Sequence, residues 1–443
     1  MSTETDHRGV RAPGRSTSSR HESEEGPAAS SPGGWRVLAP FQLREYRLLI
    51  AAMSLSIFAE GMWTVVMALQ VMELDHDPNA LSLVAACLGG GLVLFVLVGG
   101  IAADRFPQRS IILIVEAVNF AAVTAVALLG FLGALQIWHM AVAAATLGIA
   151  AAFFFPAYSA YLPRILPAEQ LLAANGVEGV MRPVLQRAAG PAVAGVLVGA
   201  TFPSLGAVAV AVLFGVGLLL LVATRPVTTA VEKTERPHVL ADLREGCVFM
   251  VRTPWLFATL LFASMFVLVA LGPIEVLLPF ITAERFDDGA RSYGLVLAAF
   301  GIGGALGALG ISSGRLPRRY LTTLMLMWGL GSLPLIVMGW THSFVLMALS
   351  AFIFGIADGA GMVIWGTLLQ RRVPPAMLGR VSSLDFFVSL AFLPVSFAIA
   401  GPLSKVVSME TIFLVAGVVP VLFAGVALWA AKMTRDEIAH PLD

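Results

Sequence analysis

Two short loops, about 210 residues apart in this chain of 443 residues, match each other position by position. The first is Gly100-Ile101-Ala102-Ala103-Asp104-Arg105-Phe106-Pro107-Gln108-Arg109; the second is Gly310-Ile311-Ser312-Ser313-Gly314-Arg315-Leu316-Pro317-Arg318-Arg319. Gly, Arg, Pro and the closing Arg recur at identical spacing, and each loop follows a long apolar, glycine-rich stretch. A short basic turn between hydrophobic segments, repeated half a chain later, points to two homologous membrane halves. A second repeat agrees with the first. Leu162-Pro163-Arg164-Ile165-Leu166-Pro167 and Leu369-Gln370-Arg371-Arg372-Val373-Pro374 precede matching apolar segments, and at the same offset Glu178 falls opposite Asp385.

Hydrophobic residues make up 58% of the chain and charged ones 13%, too apolar for a soluble domain of this size. Apolar runs of about 20 residues match a hydrocarbon core of ~30 Å. Twelve spans are expected near 48–71, 81–103, 110–132, 135–158, 172–200, 204–224, 254–282, 292–313, 320–340, 344–369, 377–402 and 411–431. The fold class is therefore an all-α membrane protein with twelve transmembrane helices in two pseudo-symmetric six-helix bundles, 46–224 and 254–432. Residues 1–45, rich in Ser, Gly, Glu and Arg, are expected to be a disordered tail, and 433–443 a second tail. The linker 225–253 should hold an amphipathic helix on which Leu240, Leu243, Cys247 and Met250 share a face.

Alternate loops on the side of the termini carry 23 of the Arg and Lys residues, the opposite loops only Arg285, Arg291 and Lys405. That bias places both termini in the cytoplasm of a multi-pass protein of the plasma (bacterial inner) membrane. No secretory signal is expected in the long polar N-terminal tail.

A charge at bilayer depth is costly, so ionisable residues within the spans are the first candidates for function. Glu60 follows Arg47 by 13 residues, about 20 Å along a helix, which puts it near the midplane. A carboxyl group there can take up and release protons, bind cargo, or pair with an arginine of another helix. Glu178, Arg182 and Arg187 lie within ten residues of the fifth span, and the first two can pair along one face. Both arginines lie roughly 15–22 Å into that helix, so at least one needs an acid or an anionic ligand. Glu60, Glu116 and Glu178 are the expected partners, and Glu116 is read as the mate of a fifth-span or loop arginine. Glu275 and Asp358 each fit a cargo site or a helix-packing pair, whereas Asp385 is read as a gate or helix-terminus residue. Glycine stripes, Gly303-Gly307-Gly310-Gly314 and Gly89-Gly90-Gly99-Gly100, allow close helix contact. Phe153, Phe154, Phe155, Tyr158, Trp63 and Trp365 line an apolar cavity or pack in the core.

The run from Gly301 to Gly307 fails the dinucleotide spacing, and no Walker, metalloprotease or nucleophile-elbow motif occurs. Cys87 lies in an apolar run and Cys247 in a polar one, unsuited to a disulfide framework or a zinc site. No cofactor, metal, enzymatic activity or nucleic-acid partner is expected.

The loop Gly100-x-x-x-Asp104-Arg105-x-x-x-Arg109 resembles the signature between helices 2 and 3 of the major facilitator superfamily. Four further features resemble its drug:proton antiporter branch, of macrolide-efflux and enterobactin-exporter type. They are Glu60-Gly61, Leu171-x-x-Ala174-Asn175, Gly190-Pro191-x-x-x-Gly195 and Asp242-Leu243-Arg244-Glu245-Gly246. Pro107 and Gly314 depart from the pattern, standing where the family loop has Gly and an acid. The resemblance implies a monomeric secondary transporter that exports an amphipathic organic compound (a drug, antibiotic or siderophore) by proton antiport and alternating access. The intramembrane charges Glu60, Arg182, Arg187, Glu275 and Asp358 remain the candidates for proton coupling or substrate binding. Gly100, Asp104, Arg105, Arg109, Arg315 and Arg319 become a gating loop, and Glu116, Glu178, Asp385, Gly190 and Pro191 structural positions. The partners are that small substrate, protons and the lipid bilayer. The alternatives are a proton-coupled uptake symporter for a small solute and a transport-inactive receptor or scaffold.

Overall fold

The computed structural model describes residues 40–225 and 239–442 except Arg315; of Asp104, Ala168, Glu169, Leu172, residues 239–243, Pro375, Ala376, Gly379 and Ser383 it describes the backbone only. The expected tail therefore lies almost wholly outside the described residues, and 226–238 of the linker does too. Eleven helices among the described residues are long and apolar enough to cross a membrane. They are α1 (Arg44–Leu74), α2 (Pro78–Arg105), α3 (Gln108–Phe131), α4 (Ile137–Ile165), α6 (Pro203–Val222) and α8 (Pro254–Arg285), followed by α9 (Gly289–Ser312), α10 (Tyr320–Trp340), α11 (Phe344–Arg372), α12 (Pro375–Leu390 with Leu393–Ser404) and α13 (Met409–Ala430). One more helix, α5, fills 168–200 and carries Glu169, Glu178, Arg182 and Arg187. It runs as α-helix over Ala168–Arg182, π-helix over Pro183–Ala189 and α-helix over Gly190–Ala200. Two shorter helices remain: α7 (Val239–Arg252) in the linker and α14 (Met433–Ala439) after the last span.

Sequence-local chemistry starts several of these helices. Asp77 accepts the Asn79 N–H ahead of Pro78, Asp288 accepts that of Arg291, and the Ser408 hydroxyl that of Thr411. On α4, Gln136 and His139 exchange backbone and side-chain bonds in a reciprocal cap, so His139 is an interfacial capping residue.

Helices α1–α6 pack mainly on one another, as do α8–α13. The two sets meet along two seams, α2 with α12 and α5 with α9. Both seams are tight at the end far from the termini, and the α5–α9 seam stays tight to mid-span, where a β-carbon on Gly301 would collide with the Arg187 carbonyl oxygen. A β-carbon on Gly195 of α5 would lie 2.8 Å from the Gly294 Cα of α9, and one on Gly401 of α12 would lie 2.6 Å from the Pro78 carbonyl of α2. Toward the terminal end the same helices carry Gly100, Gly176, Gly179 and Gly310, and a β-carbon on any of these would meet open space. The halves are closed at the far end and parted at the terminal end. The glycine stripes are accordingly split: Gly99, Gly303 and Gly307 back onto neighbouring backbones within their own halves, whereas Gly100 and Gly310 do not.

The segment after α13 is more than a tail. Glu437 of α14, 1% exposed, accepts the Leu321 and Thr322 N–H groups at 3.0 Å and the Thr322 hydroxyl at 2.6 Å. It thus caps the orphan donors that open α10. Next to it Asp436 pairs with Arg372, whose guanidinium lies over the Trp255 and Tyr320 rings. Glu437→Ala should strand those donors at about 1–3 kcal/mol and lower the melting midpoint of the detergent-solubilised protein, with Glu437→Gln intermediate. An unchanged midpoint would show that α14 merely rests on the bundle.

The linker helix docks on α12. Glu245 pairs with Arg380, Gly246 faces the Leu384 side chain and Met250 is buried, while Cys247 is exposed. Gly246 and Met250, four apart, lie on the side packed in the bundle and Cys247 is exposed, while the Leu240 and Leu243 side chains of the expected face lie outside the described residues.

Candidate functional site

Two glycines set the site. Gly61 of α1 and Gly190 of α5 touch backbone to backbone, since a β-carbon on Gly190 would lie 2.8 Å from the Gly61 Cα. This close approach sets Glu60 of α1 beside the π-helical part of α5, where Gln186 donates to the Glu60 carboxyl at 2.8 Å. Pro183 and Pro191 flank that segment, and neither can donate an N–H to an α-helical bond. The Gly190 N–H reaches five residues back, to the Leu185 carbonyl. The π turn has a stereochemical effect. Five residues at 3.6 per turn would set Arg182 and Arg187 about 140° apart, whereas a turn closed by bonds five residues apart brings them toward one face.

Each arginine finds an acid and a ring. Arg182 donates to Glu178 at 2.9 Å, and its guanidinium carbon lies 5.0 Å from the centre of the Phe155 ring. Arg187 donates to Asp358 of α11 at 3.0 Å and lies 5.7 Å from the centre of the Phe300 ring on α9. The Glu178–Arg182 pair stays within one helix, as its spacing suggested. The Arg187–Asp358 pair crosses between the halves at mid-span. Asp358 was absent from the expected partners of the arginines, and only the packing of α5, α9 and α11 makes it one.

Two expectations are corrected. Among the described residues Glu116 pairs with no arginine; it is 1% exposed and bonded to the Ser56 hydroxyl at 2.5 Å. It packs among α1, α3 and α6, where Gly217 leaves room for its carboxyl group. Asp385 is no helix-terminus residue, because it accepts from the Trp365 indole at 3.1 Å and from Ser389 at 3.2 Å within its own half. Arg109, named with the gating loop, stays within its own half. It caps the end of α6 on the Thr224 hydroxyl and carbonyl, at 3.0 and 2.8 Å, where C-terminal carbonyls and the helix dipole favour a cation.

Glu275 is half-buried in a π-helical turn of α8 and has no hydrogen bond or ion pair among the described residues. Gly100 is the open end of the α2 stripe, Arg105 and Arg319 are exposed, and Arg315 and the Asp104 side chain lie outside the described residues. Of the aromatic residues, Phe154, Tyr158, Trp63 and Trp365 are core, whereas Phe155 serves Arg182. Sequence reasoning missed Gln186, Phe300 and Ser56. Uncharged polar residues and single phenylalanines in an apolar chain carry no signal until a partner is known.

At the far end Lys405 donates to Asp77 at 2.6 Å, joining the loops that follow α12 and precede α2. The Lys405 bond, with help from the Asn79 N–H, holds the Asp77 carboxyl below its ordinary 3.8. A depressed value means the link is intact above the ordinary range and lost only as pH falls through the lowered one. Acidifying the far side to about pH 5 should thus leave closure intact. Asp77→Asn should raise labelling of far-end cysteine probes at every pH, in a background lacking Cys87 and Cys247. A matching rise in the parent protein at mild acidity would overturn this.

Two helical halves around an ionisable centre, closed at one end and parted at the other, define a multi-pass membrane transporter. The chain belongs to the major facilitator superfamily, whose family model matches residues 49–392. The enterobactin exporter EntS of Escherichia coli O81 (strain ED1a) is 26% identical over 350 residues, covering 76% of this chain and 80% of that protein. EntS of Escherichia coli O1:K1 / APEC matches over the same shares. Among solved structures, the nucleoside transporter NupG aligns with a TM-score of 0.66 at 15% identity, over 89% of this chain and 99% of its own. A bacterial homologue of the human lysosomal transporter Spinster aligns with a TM-score of 0.63 at 14% identity, over 90% and 99%. These structural likenesses concern the fold alone.

Proposed function

We propose that the chain exports an amphipathic organic compound (a drug, antibiotic or siderophore) from the cytoplasm across the bacterial inner membrane, driven by proton antiport. The observation that carries this reading is the position of Glu60. Its carboxyl group is held by a neutral amide and by no cation among the described residues, at the level where the two halves begin to part. Such a group can exchange a proton without breaking an ion pair. Arg182, Arg187, Glu275 and Asp358 form the cargo-facing surroundings, and the Arg187–Asp358 bridge couples cargo to the relative position of the halves. Export draws support from the EntS match, and cytoplasmic termini from the Arg and Lys bias. The parted end then faces the cytoplasm, and the loop 100–109 engages α12 only after the halves rock.

Reconstituted vesicles with an imposed pH gradient test direction and coupling together, with enterobactin and erythromycin as probes. Antiport accumulates a probe in vesicles whose lumen is acid and whose bath is alkaline. Accumulation only with an acid bath would replace export by proton symport, and no response to either gradient for any probe would remove the proton.

A further inference from the structure

The N-terminal half contains an acid that the proposed cycle does not use. Glu116 of α3 is 1% exposed, and Ser56 of α1 is its hydrogen-bond partner. The Ser56 hydroxyl also lies 3.0 Å from the Ala52 carbonyl, an obligate acceptor. A hydroxyl carries one proton. If Ser56 donates to Glu116, its one proton is shared between two acceptors and each bond is weakened. Both bonds form at full strength when Glu116 brings its own proton, donating to the Ser56 oxygen while Ser56 donates to Ala52.

The surroundings favour the same assignment. A buried carboxylate is costly without a cation or several donors. Among the described residues no cation bonds to Glu116, and Gly217 of α6 presents only backbone to its carboxyl group. The charged neighbour that α1 sets toward it is Glu60, itself an acid. Ser56 and Glu60 are one helical turn apart on α1, about 5–6 Å between β-carbons. We infer that Glu116 is a neutral carboxylic acid in this state and a second proton-carrying group of the transporter, linked to Glu60 through Ser56. Discharge is a relay. The Glu116 proton passes to the Ser56 oxygen as the Ser56 proton moves on toward an ionised Glu60, so Ser56 ends unchanged, Glu116 ionised and Glu60 protonated.

The inference extends the proton-antiport reading but is tested without cargo. Infrared difference spectra of the reconstituted protein at neutral pH should contain a protonated-carboxyl carbonyl band. That band should vanish in Glu116→Gln, persist in Glu60→Gln and shift to higher frequency in Ser56→Ala, where its bond is lost. A pH-indicator dye should count one proton fewer released by Glu116→Gln than by the parent protein after an alkaline jump. An unchanged band in Glu116→Gln overturns the neutral acid, and an equal proton count overturns the carrier role. Neither measurement depends on vesicle transport, so failure of the export assay with these results intact would fault the export reading alone.

Discussion

Replacing Glu60 by glutamine leaves the helices in place and brings probe concentrations inside and outside proton-loaded vesicles to equality. The glutamine retains a partner in Gln186, because amide can bond to amide where carboxyl bonded to amide. The tight Gly61–Gly190 contact beside it is untouched, so melting behaviour should change little. What is lost is the exchangeable proton. Downhill movement of the probe should survive while uphill accumulation and its pH dependence disappear. Vesicles of Glu60→Gln protein that still concentrate the probe with unaltered pH dependence would assign the coupling proton elsewhere.

Cutting the bridge between the halves has the second large effect. In Arg187→Ala, Asp358 keeps a carboxylate that is 17% exposed and has no counter-charge; in Asp358→Asn, Arg187 loses its acid. The arginine is 49% exposed, so the cost falls short of that of a fully buried pair and amounts to about 1–2 kcal/mol. On the proposed cycle the bond is made with the far end closed and broken when it opens, so its loss shifts the two states by that free energy, a five- to thirty-fold change in their ratio. Far-end cysteine probes should react faster in either single variant, and transport should fall. The exchanged pair, Arg187→Asp with Asp358→Arg, should recover more than half of the labelling change. Additive behaviour of the two substitutions would mean that the bridge carries no coupling between the halves.

The terminal-end loop fits the same scheme. Its backbone turn holds Gly100 in open space, and Arg109 is committed to the end of α6. The arginine that closes the repeated motif therefore anchors the loop to its own half.

What the sequence determined by itself is whatever its periodicity and charge could express locally. Apolar runs of membrane length set the spans, and the repeated loops with their Gly-Arg-Pro-Arg spacing set the duplication. Glu178 and Arg182, four apart on one helix, declared their own pairing. Pro183 and Pro191 were visible, but the π-helical turn between them was not, since it depends on how α5 meets α1 at Gly61 and Gly190. The partners of isolated charges were decided by tertiary structure alone. Glu116 had equal claim in sequence to any arginine, yet α1 offers it only Ser56. Asp385 was assigned by the Trp365 indole, and Arg187 by an acid 171 residues away. A buried charge selects whatever group the packing of other helices brings within about 3 Å. Which end of the seams closes was equally beyond the sequence, because glycine stripes run the length of α2 and α9 and permit contact at either end.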